Sequence, residues 1–145
     1  MMPGFLEKMN RSAAIGTILA LGWYLIRVVP QVASQPLDEV SWKAEMAIAV
    51  VIFVVTLIAD SIRAAIASHG QLDEVDVVDD ERDHAAERRG DAWGGHAMHA
   101  AAFIALMLLV FEFDPFWAAN VLFVGAMLAG LTSILVKFLT YRGSV

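Results

Sequence analysis

The sequence has no cysteine among its 145 residues. This absence excludes disulfides, thiolate metal sites, iron–sulfur clusters and cysteine nucleophiles. The chain also lacks a phosphate-binding glycine loop, a Gly-x-Ser-x-Gly elbow and a His-Glu-x-x-His motif, so it offers no organised nucleophile or phosphate cradle. Lysine and arginine number 10 against 16 acidic residues, which argues against a nucleic-acid partner. We therefore predict no catalytic residues and no organic cofactor.

Apolar residues are present in excess. The hydrophobic fraction is 59% and the mean hydropathy is +0.63, whereas soluble domains average about 45–50% apolar residues. The excess falls in four blocks of the length and composition typical of membrane helices. We predict one all-α integral membrane domain over residues 1–145, in contact with the lipid bilayer, with spans at about 12–29, 44–67, 93–111 and 115–138.

Capping residues and prolines predict where these helices begin and end. Ser12 is the expected N-cap of the first helix, and Pro30 is expected to follow its end, leaving a loop over 30–43. Asp114 and Pro115 suit the N-cap and first position of the fourth helix. A cleaved signal peptide is the alternative for the first block, because bases precede it and small residues follow it. Three further apolar blocks favour a retained span.

The distribution of basic residues predicts the orientation in the membrane. If the N-terminus is cytoplasmic, eight bases near span ends lie inside and two lie outside, which favours cytoplasmic termini and an up-down-up-down four-helix bundle. The inside bases are Lys8, Arg11, Arg63, Arg82, Arg88, Arg89, Lys137 and Arg142, and the outside bases are Arg27 and Lys43.

The acidic charge is concentrated in residues 68–92, between the second and third spans. Nine acids and three arginines occur there, which accounts for the whole net charge of −6. Residues 70–79 show no helical periodicity and are interpreted as a linker. Asp79 or Asp80 then caps a third helix that no proline interrupts, so this helix is predicted to extend from the membrane into the cytoplasm.

Two groups of polar residues on the third helix are candidates for chemistry. The first group is Asp80, His84, Glu87 and Asp91, which are spaced by four, three and four residues and therefore share one helix face. This face could bind a divalent cation or, more simply, be solvated or contact a partner. His96 and His99 share a second face at the membrane boundary, where they suit a metal, a proton relay or a hydrogen bond between helices. No Glu-x-x-His pattern supports a di-iron centre. The candidate metal ligands are His96, His99, Asp60, His84, Glu87 and Asp91.

Small residues and charged residues suggest two structural roles. Small residues at four-residue spacing allow close approach between membrane helices, and the predicted contact positions are Gly16, Ala20, Gly94, Gly95, Ala126 and Gly130. Charged residues at the cytoplasmic rim suit ion pairs that hold the two ends of the linker, and the predicted set is Asp80, Glu81, Arg82 and Arg63.

The third helix opens with Asp80-Glu81-Arg82 in a chain of four spans. This pattern resembles a loose group of small uncharacterised bacterial membrane proteins in which an Asp-Glu-Arg motif follows the second span. The resemblance covers the topology and about a dozen residues. It implies a bacterial inner-membrane protein and supplies no catalytic assignment, and the His-x-x-His at 96–99 is not part of the shared pattern.

Our leading hypothesis is a non-enzymatic membrane protein that presents an acidic cytoplasmic helix to a membrane-protein partner or to a second copy in a homodimer. The alternative is a cation- or proton-binding transport protein that uses His96, His99, Asp60 and the acidic helix face. A third hypothesis, an enzyme acting on a lipid-soluble substrate, requires an apolar cleft that opens sideways to lipid.

Overall fold

Four long helices make up almost all of the structure, a computed structural model that describes residues 5–69 and 81–141. They are α1 (Phe5–Ser34), α2 (Trp42–His69), α3 (Glu81–Val110) and α4 (Pro115–Tyr141), with one 3₁₀ turn at Leu37–Glu39. Each helix is long and apolar enough to cross a membrane. The all-α prediction is confirmed for the described residues, while the predicted linker over 70–79 lies outside them.

The first helix is longer at both ends than the sequence predicts. It begins at Phe5, so Ser12 is an interior residue and not the N-cap. It also continues through Pro30 to Ser34, where the sequence predicts a loop. Proline removes one backbone donor, but the side chain of Gln31 donates to the Arg27 carbonyl at 2.9 Å and that of Ser34 donates to the Pro30 carbonyl at 2.8 Å. These bonds support the helix around the proline.

The helices pack in the order α2, α1, α4, α3. Two hairpins, α1–α2 and α3–α4, meet along α1 and α4, and α2 makes its extensive contacts in the described ranges with α1 alone. The α1–α2 hairpin is antiparallel, because Gly16 faces Thr56 while Arg27 faces Glu45. The arrangement is thus more open than the closed bundle we expected, and many large apolar side chains lie on its surface. That surface suits lipid as its surroundings.

The tightest helix contact joins α3 to α4 and consists of small residues. From His84 onward, every buried position of α3 is alanine or glycine, namely Ala86, Gly90, Gly94, Ala101 and Ala105. A β-carbon added at Gly125 would lie 2.3 Å from Ala101 Cβ, and one added at Gly90 would lie 2.7 Å from the Ser133 carbonyl oxygen. The two backbones therefore approach as closely as small residues permit, as helices without a hydrophobic driving force between them require.

The contact between the hairpins is built around Tyr24 of α1. Its side chain is 1% exposed, its ring lies 4.8 Å from that of Phe123, and its hydroxyl donates to Asn120 Oδ1. Asn120 in turn donates to the Phe116 carbonyl at 2.7 Å. Close to the same end, Phe116 packs edge-on against Trp42 of α2. One aromatic cluster with a satisfied hydrogen bond thus joins three helices.

A tight turn over 111–114 connects α3 to α4. The Phe113 N–H donates to the Leu108 carbonyl and the Glu112 N–H to the Leu109 carbonyl, which is the Schellman pattern. Glu112 occupies the left-handed position with φ 58°, where glycine is the favoured residue. Asp114 Oδ1 accepts from the Phe116 N–H at 2.8 Å. This bond confirms Asp114 as the N-cap of α4.

We predict that Gly125→Ala destabilises the protein, because the new methyl group would overlap Ala101 and force α3 and α4 apart. Overpacking of this kind typically costs about 1–3 kcal/mol. Thermal unfolding in detergent, followed by circular dichroism, measures the change. The matched control is Gly130→Ala, one turn further along α4, where nothing lies within 4 Å of the added carbon. Equal stability of the two variants would contradict the proposed close packing.

We predict that Glu112→Gly raises the free energy of unfolding by about 1 kcal/mol, because glycine adopts the left-handed conformation without the steric cost of a β-carbon. Glu112→Gln controls for the loss of charge and should leave stability unchanged. Chemical denaturation in detergent micelles compares the three proteins. A loss of stability in Glu112→Gly would show that the turn is not strained.

Candidate functional site

A buried ion pair joins α1 to α2 near the connecting turn. Glu45, in the first turn of α2, is only 5% exposed. Its carboxylate accepts from Arg27 Nε at 3.1 Å and from Trp23 Nε1 at 3.2 Å, and the Arg27 guanidinium lies 5.8 Å from the centre of the Trp23 indole. The Arg27 side chain is 55% exposed, so one charge is buried and paired while the other extends outward. This cluster fixes the register of the first hairpin.

Sequence reasoning did not find this pair. The signal was present, because Glu45 stands alone near the start of the second predicted span, 15 residues before the next acid, Asp60, and an isolated charge there requires a partner. Trp23 and Arg27 are four residues apart and share a helix face. Both can donate to a carboxylate, and their place near the end of the preceding span puts them level with Glu45.

The turn after α1 is held by Gln31. Its Oε1 accepts from both the backbone N–H and the hydroxyl of Ser41, at 3.0 and 2.9 Å. Gln35 donates to the Glu39 carbonyl at 3.0 Å across the same turn. These bonds satisfy polar groups at the end of one helix and the start of the next. The first hairpin is therefore closed by side-chain hydrogen bonds as well as by the ion pair.

A second ion pair lies at the opposite end, between α3 and α4. Lys137 Nζ lies 2.9 Å from Asp91 Oδ1, which also accepts from the Ser133 hydroxyl at 3.3 Å. The Lys137 side chain is 14% exposed, and its aliphatic part covers Gly90. Asp91 was predicted as a metal ligand, but in the structure its carboxylate already pairs with lysine. It connects the two helices where α3 changes from charged to apolar.

The distance between the polar groups on this hairpin matches a bilayer. Residues 92–110, between Asp91 and the turn that carries Glu112, span about 28 Å of helix. The hydrocarbon core of a typical bilayer is about 30 Å thick. Exposed aromatic residues lie at both ends, with Trp93 at one and Phe111, Phe113 and Trp117 at the other, as interfacial belts do.

The two histidines at 96 and 99 lie on the outward face of α3. Both are exposed, and the positions that pack on α4 are on the other side of the helix. His99 Nδ1 donates to the Gly95 carbonyl at 2.6 Å, and His96 makes an edge-on ring contact with Trp93 at 6.3 Å. They therefore face the surroundings of the protein and not its interior. An imidazole facing lipid is costly unless something polar reaches it.

The other predicted ligands are not assembled around these histidines. Among the histidine, aspartate and glutamate side chains that the structure describes, no three lie close enough together to hold a metal ion. His84 is exposed and Glu87 is half-buried, on the charged part of α3. The side chain of Asp60 lies outside the described residues. The predicted cation site stays a prediction.

The rim ion-pair motif cannot be located. Asp80 lies outside the described residues, and so do the side chains of Glu81 and Arg82. Arg63 is exposed near the end of α2.

The predicted helix-contact residues divide into two groups. Gly16, Ala20 and Gly94 are buried, and a β-carbon at Gly16 or Gly94 would lie 3.0 Å from the neighbouring helix. They make contacts inside the chain and not with another molecule. The residues of the second group are not closely packed. A β-carbon added at Gly95 or Gly130 would have no neighbouring atom within 4 Å, and Ala126 is exposed.

An apolar groove of about 330 Å³ lies between α1 and α4. Its walls include Leu25, Val29 and Trp117, and Tyr24 and Asn120 form its polar part. The hydroxyl and amide of these two residues are already bonded to each other. The groove is apolar, as the lipid-substrate hypothesis requires, but its described lining carries no carboxylate, imidazole or amine to act as acid or base.

Comparison with known proteins gives no match to any family model, curated protein or solved structure. The resemblance to small four-span proteins with an Asp-Glu-Arg motif therefore stays a prediction.

We predict that Glu45→Ala lowers the free energy of unfolding by about 1–3 kcal/mol, the usual cost of removing a buried charged partner of two donors. Equilibrium unfolding in detergent measures this loss. Asp38→Ala is the control, since it removes an exposed carboxylate from the adjacent turn and should change stability by less than about 0.5 kcal/mol. Identical behaviour of the two variants would mean that the Glu45 cluster does not hold the hairpin.

Proposed function

We propose that the chain is a non-enzymatic protein of a bacterial cytoplasmic membrane that acts by association, presenting the charged front of α3 to a partner protein or a second copy. The charged front is defined as residues 81–91. The observation that carries this proposal is the length of α3. Its 30 residues exceed what the hydrocarbon core of a bilayer accommodates.

We take the excess length to lie at the N-terminal end of α3, where its charged residues are concentrated. With Asp91 and Lys137 at the membrane boundary, residues 81–91 extend about 16 Å beyond it. Exposed His84, Arg88 and Arg89 lie on this extension. A charged helix standing in water next to a membrane is a surface on which a partner's side chains can find complementary charges.

The bias of basic residues supports a cytoplasmic location for the charged front. Eight of the ten lysine and arginine residues belong to one side of the predicted topology. Arg63, Arg88 and Lys137, at the ends of three different helices, are among them. The other side carries the two short turns that follow α1 and α3.

The helix contacts inside the chain narrow the choice of association surface. Gly16 and Gly94 are used up in contacts inside the chain, so substitutions there would disturb folding before association. Substitutions at exposed residues of the charged front can change association without first disturbing the packing of the helices. We therefore place the protein contact near His84, about 10 Å beyond the boundary marked by Asp91.

Because the chain has no cysteine, single cysteines report the orientation directly. We predict that Arg88→Cys reacts with a membrane-impermeant maleimide in inverted vesicles and not in intact cells. Asp38→Cys, in the turn between α1 and α2, should show the opposite behaviour. Labelling of both positions from the same side of the membrane would overturn the proposed orientation.

The association itself is tested by photo-crosslinking in native membranes. A photoreactive amino acid at His84 should give a protein adduct, with twice the monomer mass for a second copy or another mass for a different partner. The control is the same probe at Leu135, an exposed apolar residue of α4, which should give lipid adducts only. Absence of any protein adduct at His84 would contradict the proposed function.

A further inference from the structure

The charged front of α3 has its described charges sorted between two faces. Asp91 is bonded to Lys137 and Ser133 of α4, and Glu87, four residues earlier, shares that face and is half-buried. Arg88 and Arg89 are exposed. Of the side chains that the structure describes here, the Asp91 carboxylate is thus bonded to α4, while both arginine residues are exposed.

The outward face continues into the membrane with polar and aromatic side chains. Four residues that follow one another along this face form the stripe that we call the boundary stripe: Arg88, Ala92, His96 and His99. Trp93 flanks the stripe, is 59% exposed and contacts the ring of His96. Indole side chains favour the headgroup level of a bilayer. The stripe therefore crosses the zone where lipid headgroups lie.

The direction of α3 turns the two imidazoles toward the membrane boundary. Arg88 precedes Asp91 by three residues, and His96 follows it by five, so Arg88 and His96 are about 12 Å apart along the helix axis. Side chains of a helix tilt toward its N-terminus, so the imidazoles of His96 and His99 lean back toward the boundary. The long side chain of Arg88 must extend toward them, and the small Ala92 between them leaves that space open.

We propose that the boundary stripe binds the phosphate headgroup of an anionic phospholipid. Arg88 would supply the fixed positive charge, and the imidazole of His96 an N–H donor. Bonding to a headgroup would also offset the cost of an imidazole that faces the bilayer. This inference goes beyond the proposed association, because it concerns a lipid at the membrane boundary and depends only on insertion of α3 in the membrane.

Charge complementarity favours an anion over the other occupants of this face. A metal cation would meet the positive charge of Arg88, and the nearest described carboxylate, that of Asp91, is already paired with Lys137. A second copy packed through the same face in parallel would bring Arg88 against its symmetry mate, which is unfavourable. An anionic headgroup is attracted by Arg88, so neither repulsion arises. The acyl chains of the same lipid would lie along the apolar continuation of the face at Phe103 and Leu106.

Lipid retention by the full chain tests the proposal. The protein is reconstituted in nanodiscs containing equal amounts of phosphatidylglycerol and phosphatidylcholine, released into mild detergent, and analysed by native mass spectrometry. We expect the wild type to retain phosphatidylglycerol preferentially. Arg88→Gln should lower the retained ratio about fivefold, the factor that one arginine near an anionic surface contributes, and His96→Leu should lower it as well.

The matched control is Arg63→Gln, which removes an exposed base from the end of α2 and the same unit of charge. It should leave the ratio unchanged. An equal loss in Arg63→Gln and Arg88→Gln would overturn the site in favour of general attraction by net charge, and equal retention of both lipids by the wild type would overturn it outright.

A second measurement separates a lipid from a second copy on this face. Ala92→Cys introduces the chain's sole thiol in the middle of the boundary stripe. Under mild oxidation in phosphatidylglycerol membranes, we expect it to remain monomeric. Efficient formation of a disulfide-linked dimer would show that another copy covers the stripe and would overturn lipid binding there. Circular dichroism confirms that each variant keeps its helical content.

Discussion

The close approach of α3 and α4 is the constraint on which the rest of the structure depends. In a bilayer, two apolar helices gain little from leaving lipid, so contact between them must come from tight packing. Ala101 against Gly125 and Gly90 against Ser133 bring the backbones near enough for that. The same approach places Asp91 within reach of Lys137. The Asp91–Lys137 ion pair is therefore a result of small residues elsewhere on the seam between α3 and α4.

The first hairpin is held in a different way. Gly16 and Ala20 provide some close packing, but the specific bonds lie at one end, where Glu45 meets Arg27 and Trp23. A paired buried charge contributes to register more reliably than to net stability. The two hairpins then meet through Tyr24, Phe123 and Asn120. Small residues, a buried charge and an aromatic cluster thus each fix a different pair of helices.

The sequence predicted the helices well because their signals are local. Apolar length located the four helices, and Asp114 with Pro115 located the start of α4. The path of α1 through Pro30 was missed, since the bonds from Gln31 and Ser34 that support it are not visible in composition. The order of packing was missed as well, because periodicity gives the small face of a helix but not the helix that covers it.

The site residues show the same limit. His96 and His99 were recognised as unusual, yet a single sequence does not say whether they face another helix or the lipid. Asp91 was predicted as a ligand, and the lysine that pairs with it lies 46 positions later in the chain. Glu45 was not among the predicted site residues, and its partners Trp23 and Arg27 belong to the preceding helix. In each case the partner is distant in sequence and becomes known only from the fold.

The packing order α2, α1, α4, α3 has a consequence for how the protein is made. The helices at the centre of the row, α1 and α4, are the earliest and the latest of the four in the sequence, so the two hairpins can join only after α4 has been synthesised. Until then the α1–α2 pair lacks its contacts with α4. The Glu45 cluster and the Gln31 bonds belong wholly to that pair. These bonds can hold α1 and α2 in register until the α3–α4 hairpin has been made.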